Sequence, residues 1–288
     1  MCIRDRYVID LSSGRVSCVL DEPVGCRGDF HGWTLDNQLL FQPLDPQPGT
    51  LRAKFGVVLV DFRRAQYKEL DLPVDSKGYS VANNLTLNAD SSKIAYSTTD
   101  WATRQSAIWT RGVNEGEGQL VHTVPGWIVA LSWSPVGEQL FFLNVKGAAS
   151  DPAELWIMNS DGSDARLLSQ KVPKATEWRY RPTWSPDGRC IVFVQVDAPS
   201  LFSSLDEPGG KLAEPGTNIY VADTVTGKVT RLSSFNDKRN TSFPTWSPDS
   251  RFVAFVSTII ADKHTRYGEI WVAGVDGSQL YAVSGMAK

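Results

Sequence analysis

The sequence has few of the residues from which catalytic and metal sites are usually built. Its 288 residues include four cysteines and three histidines, and the histidines (His31, His122 and His264) lie far apart. No G-x-S-x-G, H-E-x-x-H, C-x-x-C or EF-hand pattern occurs, so neither a hydrolase nucleophile nor a metal site is recognisable. Four cysteines are too few for a disulfide scaffold in a chain of this length. Cys18 and Cys26 either pair with each other or remain free thiols.

Strong charge and long apolar runs are also missing. The net charge of −3 offers no basic surface for nucleic acid. No apolar run approaches the roughly 18 residues of a spanning helix, so we expect no membrane insertion. The first residues, MCIRDRYVID, carry charges where a signal peptide has its apolar region, so we expect no signal peptide within these residues.

What the sequence does contain is a repeat built on Trp-Ser-Pro-Asp. The stretch RPTWSPDGRCIVFV, from Arg181 to Val194, returns as FPTWSPDSRFVAFV, from Phe243 to Val256. Looser copies occur upstream, and the intervals between successive copies are 46 to 62 residues. Periods of about 40–50 residues are typical of propeller arrays. Aligned on the tryptophan, the copies lie at Trp33, Leu87, Trp133, Trp184 and Trp246.

Each copy predicts a β-hairpin, and a second hairpin follows it. In Ser185–Gly188 the proline presets φ, the aspartate can bond to the backbone, and glycine accepts the left-handed conformation. The second hairpins turn at Asp161-Gly162, Thr226-Gly227, Asp276-Gly277 and Ser13-Gly14. Strands such as CIVFV are apolar on both faces, which predicts burial between two layers. Two hairpins per repeat predict an all-β propeller of four-stranded antiparallel blades.

The alternation of W-S-P-D-G with I-Y/W-V and D-G hairpins resembles the TolB-like, PD40 branch of WD40-like β-propellers. The resemblance covers nearly the whole chain and is best at Trp184 and Trp246. Two copies depart from the motif, with Thr34-Leu35-Asp36-Asn37 and Asn88-Ala89-Asp90-Ser91 in place of Ser-Pro-Asp-Gly. The motif is structural, and the resemblance implies a periplasmic or secreted protein that binds partners without bond chemistry.

The repeats predict one β-propeller domain over residues 1–288, with about five full blades and a half blade. The chain is expected to be a fragment that would be six-bladed if completed, and residues 1–6 are expected to be a non-native leader. The predicted repeats are the half blade at 7–27 and the blades at 28–72, 80–123, 127–170, 178–234 and 240–285.

Two features predict binding. Residues that precede or open each first hairpin should ring one mouth of the central channel, where a mixed polar and aromatic set suits a peptide or a polar ligand. They are Asp29, His31, Asn83, Asn84, Trp127, Arg179, Tyr180, Arg239 and Asn240. The insertion from Val196 to Asn218 offers a second contact patch. Its apolar residues are Leu201, Phe202 and Leu205.

These features predict a non-enzymatic, monomeric scaffold with a protein or peptide partner. One alternative is the gating propeller of a prolyl-oligopeptidase-like serine peptidase, and another is a propeller-fold polysaccharide lyase. No cofactor is predicted. Calcium at Ser160–Asp164 or in the channel is the one metal that the sequence leaves open, although aspartate is expected in a hairpin turn without any metal.

Overall fold

The computed structural model describes strands and turns in most of the chain. It covers residues 7–9, 16–18, 28–34, 36–43, 57–61, 64, 66–70, 72–73, 82–115, 117–148, 151–173, 180–197, 216–235, 239–260 and 266–283. No α-helix occurs among these residues. In the same part of the chain, no helix is long and apolar enough to cross a membrane.

A short hairpin is followed by five four-stranded sheets, numbered here as blades 1 to 5. The hairpin joins β1 (Tyr7–Ile9) to β2 (Val16–Cys18). Blade 1 contains β3 (Gly28–Trp33), β4 (Leu39–Pro43), β5 (Val57–Asp61) and β6 (Gln66–Leu70). Blade 2 contains β7 (Asn83–Leu87), β8 (Lys93–Asp100), β9 (Gln105–Gly112) and β10 (Gln119–Pro125).

Blades 3 to 5 repeat this order, because neighbouring strands in each sheet are consecutive in the chain. Blade 3 contains β11 (Trp127–Trp133), β12 (Gln139–Val145), β13 (Ala153–Asn159) and β14 (Arg166–Val172). Blade 4 contains β15 (Thr183–Trp184), β16 (Cys190–Val196), β17 (Thr217–Asp223) and β18 (Val229–Arg231). Blade 5 contains β19 (Arg239–Trp246), β20 (Phe252–Ile260), β21 (Arg266–Gly274) and β22 (Leu280–Ala282).

The chain forms two compact units, and in each the core lies between adjacent blades. One unit contains residues 1–125 and 131–133, and the other contains residues 126–130 and 134–288. In the first unit, Leu40 and Leu59 of blade 1 share a cluster with Tyr96 of blade 2. In the second, Phe141 of blade 3 packs against Trp184 of blade 4, with ring centroids 5.7 Å apart. Strands that are apolar on both faces are therefore buried on both faces, as predicted.

The first hairpin of a blade is closed by a side-chain oxygen that follows the tryptophan. Ser185 is fully buried, and its Oγ accepts a hydrogen bond from the Cys190 N–H at 2.9 Å. The same hydroxyl donates to Asp187 Oδ1 at 2.6 Å. Ser247 Oγ accepts from the Phe252 N–H at 2.9 Å in blade 5. The serine thus satisfies a backbone donor that the turn would otherwise leave unpaired.

The copies that depart from the motif keep this interaction with other residue types. Thr34 Oγ1 accepts from the Gln38 N–H at 2.9 Å in blade 1. Asn88 Oδ1 accepts from the Lys93 N–H at 2.9 Å in blade 2. Because threonine and asparagine offer an oxygen at a similar reach, the turn survives the loss of Ser-Pro-Asp-Gly.

The fourth residue after the tryptophan position is left-handed in all five blades. Its φ is 62° at Asn37, 58° at Ser91, 79° at Gly137, 69° at Gly188 and 59° at Ser250. In blades 4 and 5 this position also contacts the preceding blade. A Cβ on Gly188 would lie 2.9 Å from Ser134 Oγ of blade 3, and the Asp187 N–H of blade 4 donates to Ser250 Oγ of blade 5 at 3.1 Å.

The predicted all-β fold of four-stranded blades is confirmed. The predicted turns at Asp161-Gly162, Thr226-Gly227 and Asp276-Gly277 have glycines with φ of 86°, 71° and 76°. Ser13-Gly14 lies outside the described residues. The single domain and the repeat boundaries remain predictions.

The buried serine of the turn can be tested by Ser185→Ala. The substitution leaves the N–H of half-buried Cys190 without its acceptor, which should lower the free energy of unfolding by about 1–3 kcal/mol. Chemical denaturation measures this loss. Ser234→Ala, at an exposed serine, is the control and should change stability by no more than about 0.5 kcal/mol. Equal effects of the two substitutions would contradict this account of the turn.

Gly188 and Gly137 both have the left-handed conformation, but only Gly188 lies close to the preceding blade. Alanine substitutions at the two positions therefore distinguish the cost of backbone strain from the cost of disturbing the contact between blades. A Cβ on Gly188 would lie 2.9 Å from Ser134 Oγ and 2.9 Å from Val136 Cγ2, whereas a Cβ on Gly137 would meet nothing within 4 Å. Gly137→Ala should cost about 1–2 kcal/mol through strain alone. Gly188→Ala should cost clearly more, as measured by the shift in denaturation midpoint. A smaller loss for Gly188→Ala would show that the turns do not contact in this way.

Candidate functional site

The antiparallel order places both predicted binding features at the same end of a blade. The leading end of a blade is defined here as the end where its first strand begins and its second and third strands are joined. In blade 4, Val196 pairs with Thr217 at this end, and the insertion connects them. In blade 5, Arg239 opens the first strand and pairs with Ile259 at the same end. The opposite end, with the Trp-Ser-Pro-Asp turns, is the turn end.

In blade 1 the candidate residues lie in β3. The backbone of Asp29 pairs with Gln42, and its side chain lies outside the described part. His31 is half-buried, and its Nε2 lies 3.2 Å from Gln42 Oε1. The amide of Gln42 donates to the Ala82 carbonyl, just before blade 2, at 3.0 Å. His31 is therefore part of a contact between blades 1 and 2.

In blade 2 the two asparagines differ in their surroundings. Asn83 is exposed at the start of β7. Asn84 is half-buried with a φ of 52°, and its Nδ2 donates to Ser97 Oγ at 3.0 Å. Asparagine tolerates the left-handed conformation better than most residues, which explains its presence at this bulge. Asn83 is the more exposed of the two.

In the second unit the structure brings Tyr180 and Asn240 together. Both are buried, with 3% and 6% of their surface exposed. The Tyr180 hydroxyl donates to Asn240 Oδ1 at 3.1 Å and accepts from Asn240 Nδ2 at 2.8 Å. Thr217 Oγ1 donates to the same Oδ1 at 3.2 Å and accepts from the Thr241 N–H at 2.7 Å. Tyr180 and Asn240 thus join blade 5 to the residue at which the insertion returns to blade 4.

Arg239 and Trp127 are each packed against neighbouring side chains. Arg239 Nη1 lies 2.7 Å from Glu269 Oε2, and its guanidinium carbon lies 5.2 Å from the Phe235 ring centroid. The indole N–H of Trp271 donates to the same glutamate oxygen at 3.1 Å. Trp127 is half-buried against the core cluster of blades 3 and 4. Arg179, Leu201, Phe202 and Leu205 lie outside the described residues.

The base of the insertion is held by Asp197, which sequence reasoning missed. Its N–H donates to the Gly216 carbonyl at 3.4 Å across the base of the insertion. Its carboxylate accepts from Asn218 Nδ2 at 2.6 Å, from the Tyr220 hydroxyl, and from Arg231 Nη2 at 2.8 Å. Burial, and then the hydrogen bond and negative charge of Asp197, raise the pKa of Tyr220 to about 12. An aspartate before an insertion is too common a pattern to reveal this role.

Nucleophile and metal chemistry find little support in the part of the chain that the structure describes. Cys190 is a free, half-buried thiol, and burial raises its pKa to about 11, so it is protonated at neutral pH. Burial also lowers the pKa of His122. No group of three or more His, Cys, Asp or Glu side chains within the described ranges could hold a metal ion. In Ser160–Asp164, the Asp161 carboxylate accepts from the Ser163 N–H at 2.9 Å, as in an ordinary turn.

Sequence comparison points to two kinds of protein. No family model matches the chain. It is 29% identical to the Tol-Pal system protein TolB of Francisella tularensis over 127 residues, which cover 44% of this chain and 23% of that protein. It is 25% identical to the uncharacterized peptidase YuxL of Bacillus subtilis over 151 residues, covering 44% of this chain and 21% of the peptidase. The chain thus spans about a fifth of the length of these curated relatives.

Structural comparison gives the fold. An oligogalacturonate lyase in complex with manganese matches with a TM-score of 0.66 at 16% identity, over 97% of this chain and 70% of that one. A putative TolB from Agrobacterium tumefaciens matches with a TM-score of 0.54 at 17% identity, over 96% of this chain and 86% of that one. At such identities the likeness establishes a β-propeller and carries no activity.

The anchoring role of Asp197 can be tested through the titration of Tyr220. Asp197→Asn removes the negative charge that disfavours the phenolate, so the pKa of Tyr220 should fall below about 12. It should remain above the ordinary value of about 10, because burial persists. Carbon-13 NMR of labelled tyrosine measures the pKa, and Tyr220→Phe identifies the signal. An unchanged pKa would show that Asp197 does not contact the phenol.

Proposed function

We propose that this chain, a TolB-like β-propeller of the PD40 type, is a non-enzymatic scaffold that binds a protein or peptide partner at the leading ends of its blades. The observation that carries the proposal is the bond between Thr217, where the insertion returns to blade 4, and Asn240 of blade 5. It joins the two features that the sequence predicts to bind, and both belong to the second compact unit.

The residues beneath the proposed binding surface are held in place by hydrogen bonds. Tyr180, Thr217, Asn240 and Thr241 are all buried and mutually hydrogen-bonded. Asp197 holds the other side of the insertion's base through three side-chain donors. Because the base is already ordered, a partner would bind without the entropic cost of fixing it. These buried residues therefore position the surface, and contact with the partner falls to the insertion and to exposed neighbours.

Three apolar side chains of the insertion are the proposed contacts. Leu201, Phe202 and Leu205 lie among polar residues between the two anchored ends. Loops that project from a rigid scaffold often carry binding, and aromatic anchors dominate the energy of interfaces. The proposal for blades 4 and 5 does not depend on the other residues predicted at the leading ends, which are His31, Asn83, Asn84, Trp127 and Arg179. A monomer in the periplasm or outside the cell accords with the TolB-like repeat.

A second candidate function is the propeller part of a serine peptidase of the prolyl-oligopeptidase type. The sequence similarity to the peptidase of Bacillus subtilis favours it. The match covers only 21% of that protein, so most of the peptidase has no counterpart in the matched region. In that case the leading ends would guide a peptide substrate toward a separate hydrolase domain. The likeness to the lyase is structural alone, so lyase activity has weaker support.

Site-specific cross-linking tests the proposed scaffold. A photoreactive benzoylphenylalanine in place of Phe202 should form an adduct with the partner in the producing cells, and mass spectrometry would identify it. The same label at Val225 is the control, because Val225 is 74% exposed at the turn end of the same blade. With the identified partner, Leu201→Ser, Phe202→Ser and Leu205→Ser together should raise Kd about tenfold or more.

Three results would contradict the scaffold proposal. One is no adduct at position 202, and another is the same set of adducts at both labelled positions. The third is cleavage of the bound partner by the full-length protein, which would favour the peptidase alternative.

Val225→Ser is the control for the affinity measurement. It should leave Kd within about twofold of the original value, because single exposed side chains outside an interface contribute little.

A further inference from the structure

The first strands of blades 4 and 5 expose the same two positions of the repeat. The residues three positions before the tryptophans are Arg181 and Phe243, and those one position before are Thr183 and Thr245. All four are exposed, whereas the prolines between them are buried. The same order of exposed and buried residues occurs in both blades, so the four exposed side chains are expected on the open side of the two segments.

The two strands are direct neighbours within the second compact unit. The indole N–H of Trp246 in blade 5 donates to the Thr183 carbonyl in blade 4 at 3.0 Å. Arg181, just before β15, and Phe243, in β19, occupy equivalent positions of the repeat. We therefore expect the Arg181 guanidinium and the Phe243 ring on the same exposed side of these neighbouring segments, each two residues before an exposed threonine.

Phe243 has an unusual backbone conformation for its residue type. Its φ is 55°, and the pairing of β19 with β20 shifts register between Ser242 and Thr245, which marks a β-bulge. A bulky residue with positive φ is strained, and Asn84 is the better-suited residue at the equivalent position of blade 2. Bulges often re-aim a side chain at a functional site. Here the bulge leaves 40% of the phenylalanine exposed, so part of an aromatic ring faces solvent at a strained position.

Arg181 and the neighbouring Arg239 differ in their contacts with the described residues. Among the described residues, its guanidinium makes neither an ion pair nor a side-chain hydrogen bond. Arg239 is paired with Glu269 at 2.7 Å. An exposed guanidinium with its donors available suits bidentate recognition of a carboxylate.

We propose that Arg181, Thr183, Phe243 and Thr245 form a binding site for a carboxylate next to an apolar side chain, as in a peptide that ends in such a residue. Arg181 binds the carboxylate, Phe243 packs against the apolar side chain, and the threonine hydroxyls bond to the peptide backbone. The site lies beyond the proposed contacts of the insertion. It rests on a binding role for these blades but not on the insertion taking part.

Fluorescence anisotropy with labelled peptides tests the site in the full chain. The first probe is Gly-Gly-Ser-Leu-Phe with a free carboxylate, the second is the same peptide amidated, and the third is amidated Gly-Gly-Ser-Asp-Phe. The first should bind, and the second should bind about tenfold or more weakly. Comparable binding of the third and the first would show that a side-chain carboxylate also serves, and weaker binding would assign the terminal one.

Variants assign the roles of the residues. Arg181→Gln should weaken binding of the free acid about tenfold or more and leave the amidated peptide unchanged. Arg189→Gln is the matched control, because Arg189 is exposed at the turn end of the same blade. Phe243→Asn should weaken binding while the chain stays folded, since asparagine has the equivalent left-handed position in blade 2. Unchanged binding by folded Phe243→Asn would show that the ring takes no part.

Several outcomes would overturn the inference. These are failure of the free acid to bind, equal binding of the free and amidated peptides, and equal effects of Arg181→Gln and Arg189→Gln. The combined serine substitutions at 201, 202 and 205 separate this site from the proposed scaffold. If they abolish binding of the cross-linked partner while no peptide binds wild type, the carboxylate site is wrong and the scaffold stands. If peptides bind as expected but no partner depends on the insertion, the reverse holds.

Discussion

The fold depends on one hydrogen bond that blades 1, 2, 4 and 5 repeat, from a backbone N–H of the first hairpin to the side-chain oxygen that follows the tryptophan position. In blade 4 the oxygen is Ser185 Oγ, and in blade 2 it is Asn88 Oδ1. The bond closes the turn and fixes the first strand against the second. It also places the left-handed fourth residue, such as Gly188 or Ser250, against the preceding blade. Packing between blades therefore begins at a local turn.

Because of this hydrogen bond, the chain can vary less at the turn end of a blade than at the leading end. At the turn end, the buried oxygen, the left-handed backbone and the contact with the preceding blade leave little room for variation. At the leading end, the connection between the second and third strands varies in length: it joins Asp100 to Gln105 in blade 2 and forms the insertion after Asp197 in blade 4. The hydrogen bond between Thr217 and Asn240 keeps the end of the insertion packed against blade 5. Binding is consequently best placed where the repeat constrains the chain least.

The local features could be predicted from the sequence, because turn chemistry and strand alternation involve residues close together in the chain. The glycines of Asp161-Gly162 and Asp276-Gly277 and the doubly buried strand of Cys190 to Val196 belong to this class. What could not be predicted depends on contacts between blades. Tyr180 and Asn240 are polar and were expected at the channel mouth, yet they bury against each other across 60 residues. The φ of Phe243 arises from a bulge whose register no local pattern reveals.

The central claim is that partners bind at the leading ends of blades 4 and 5, while the turn ends only hold the blades together. Hydrogen–deuterium exchange of the full chain, with and without the partner cross-linked at position 202, tests it most directly. The account predicts new protection in residues 180–184, 197–218 and 239–246, with no change in the turns at 185–190 and 247–252. Protection confined to those turns, or spread evenly over all five blades, would contradict it.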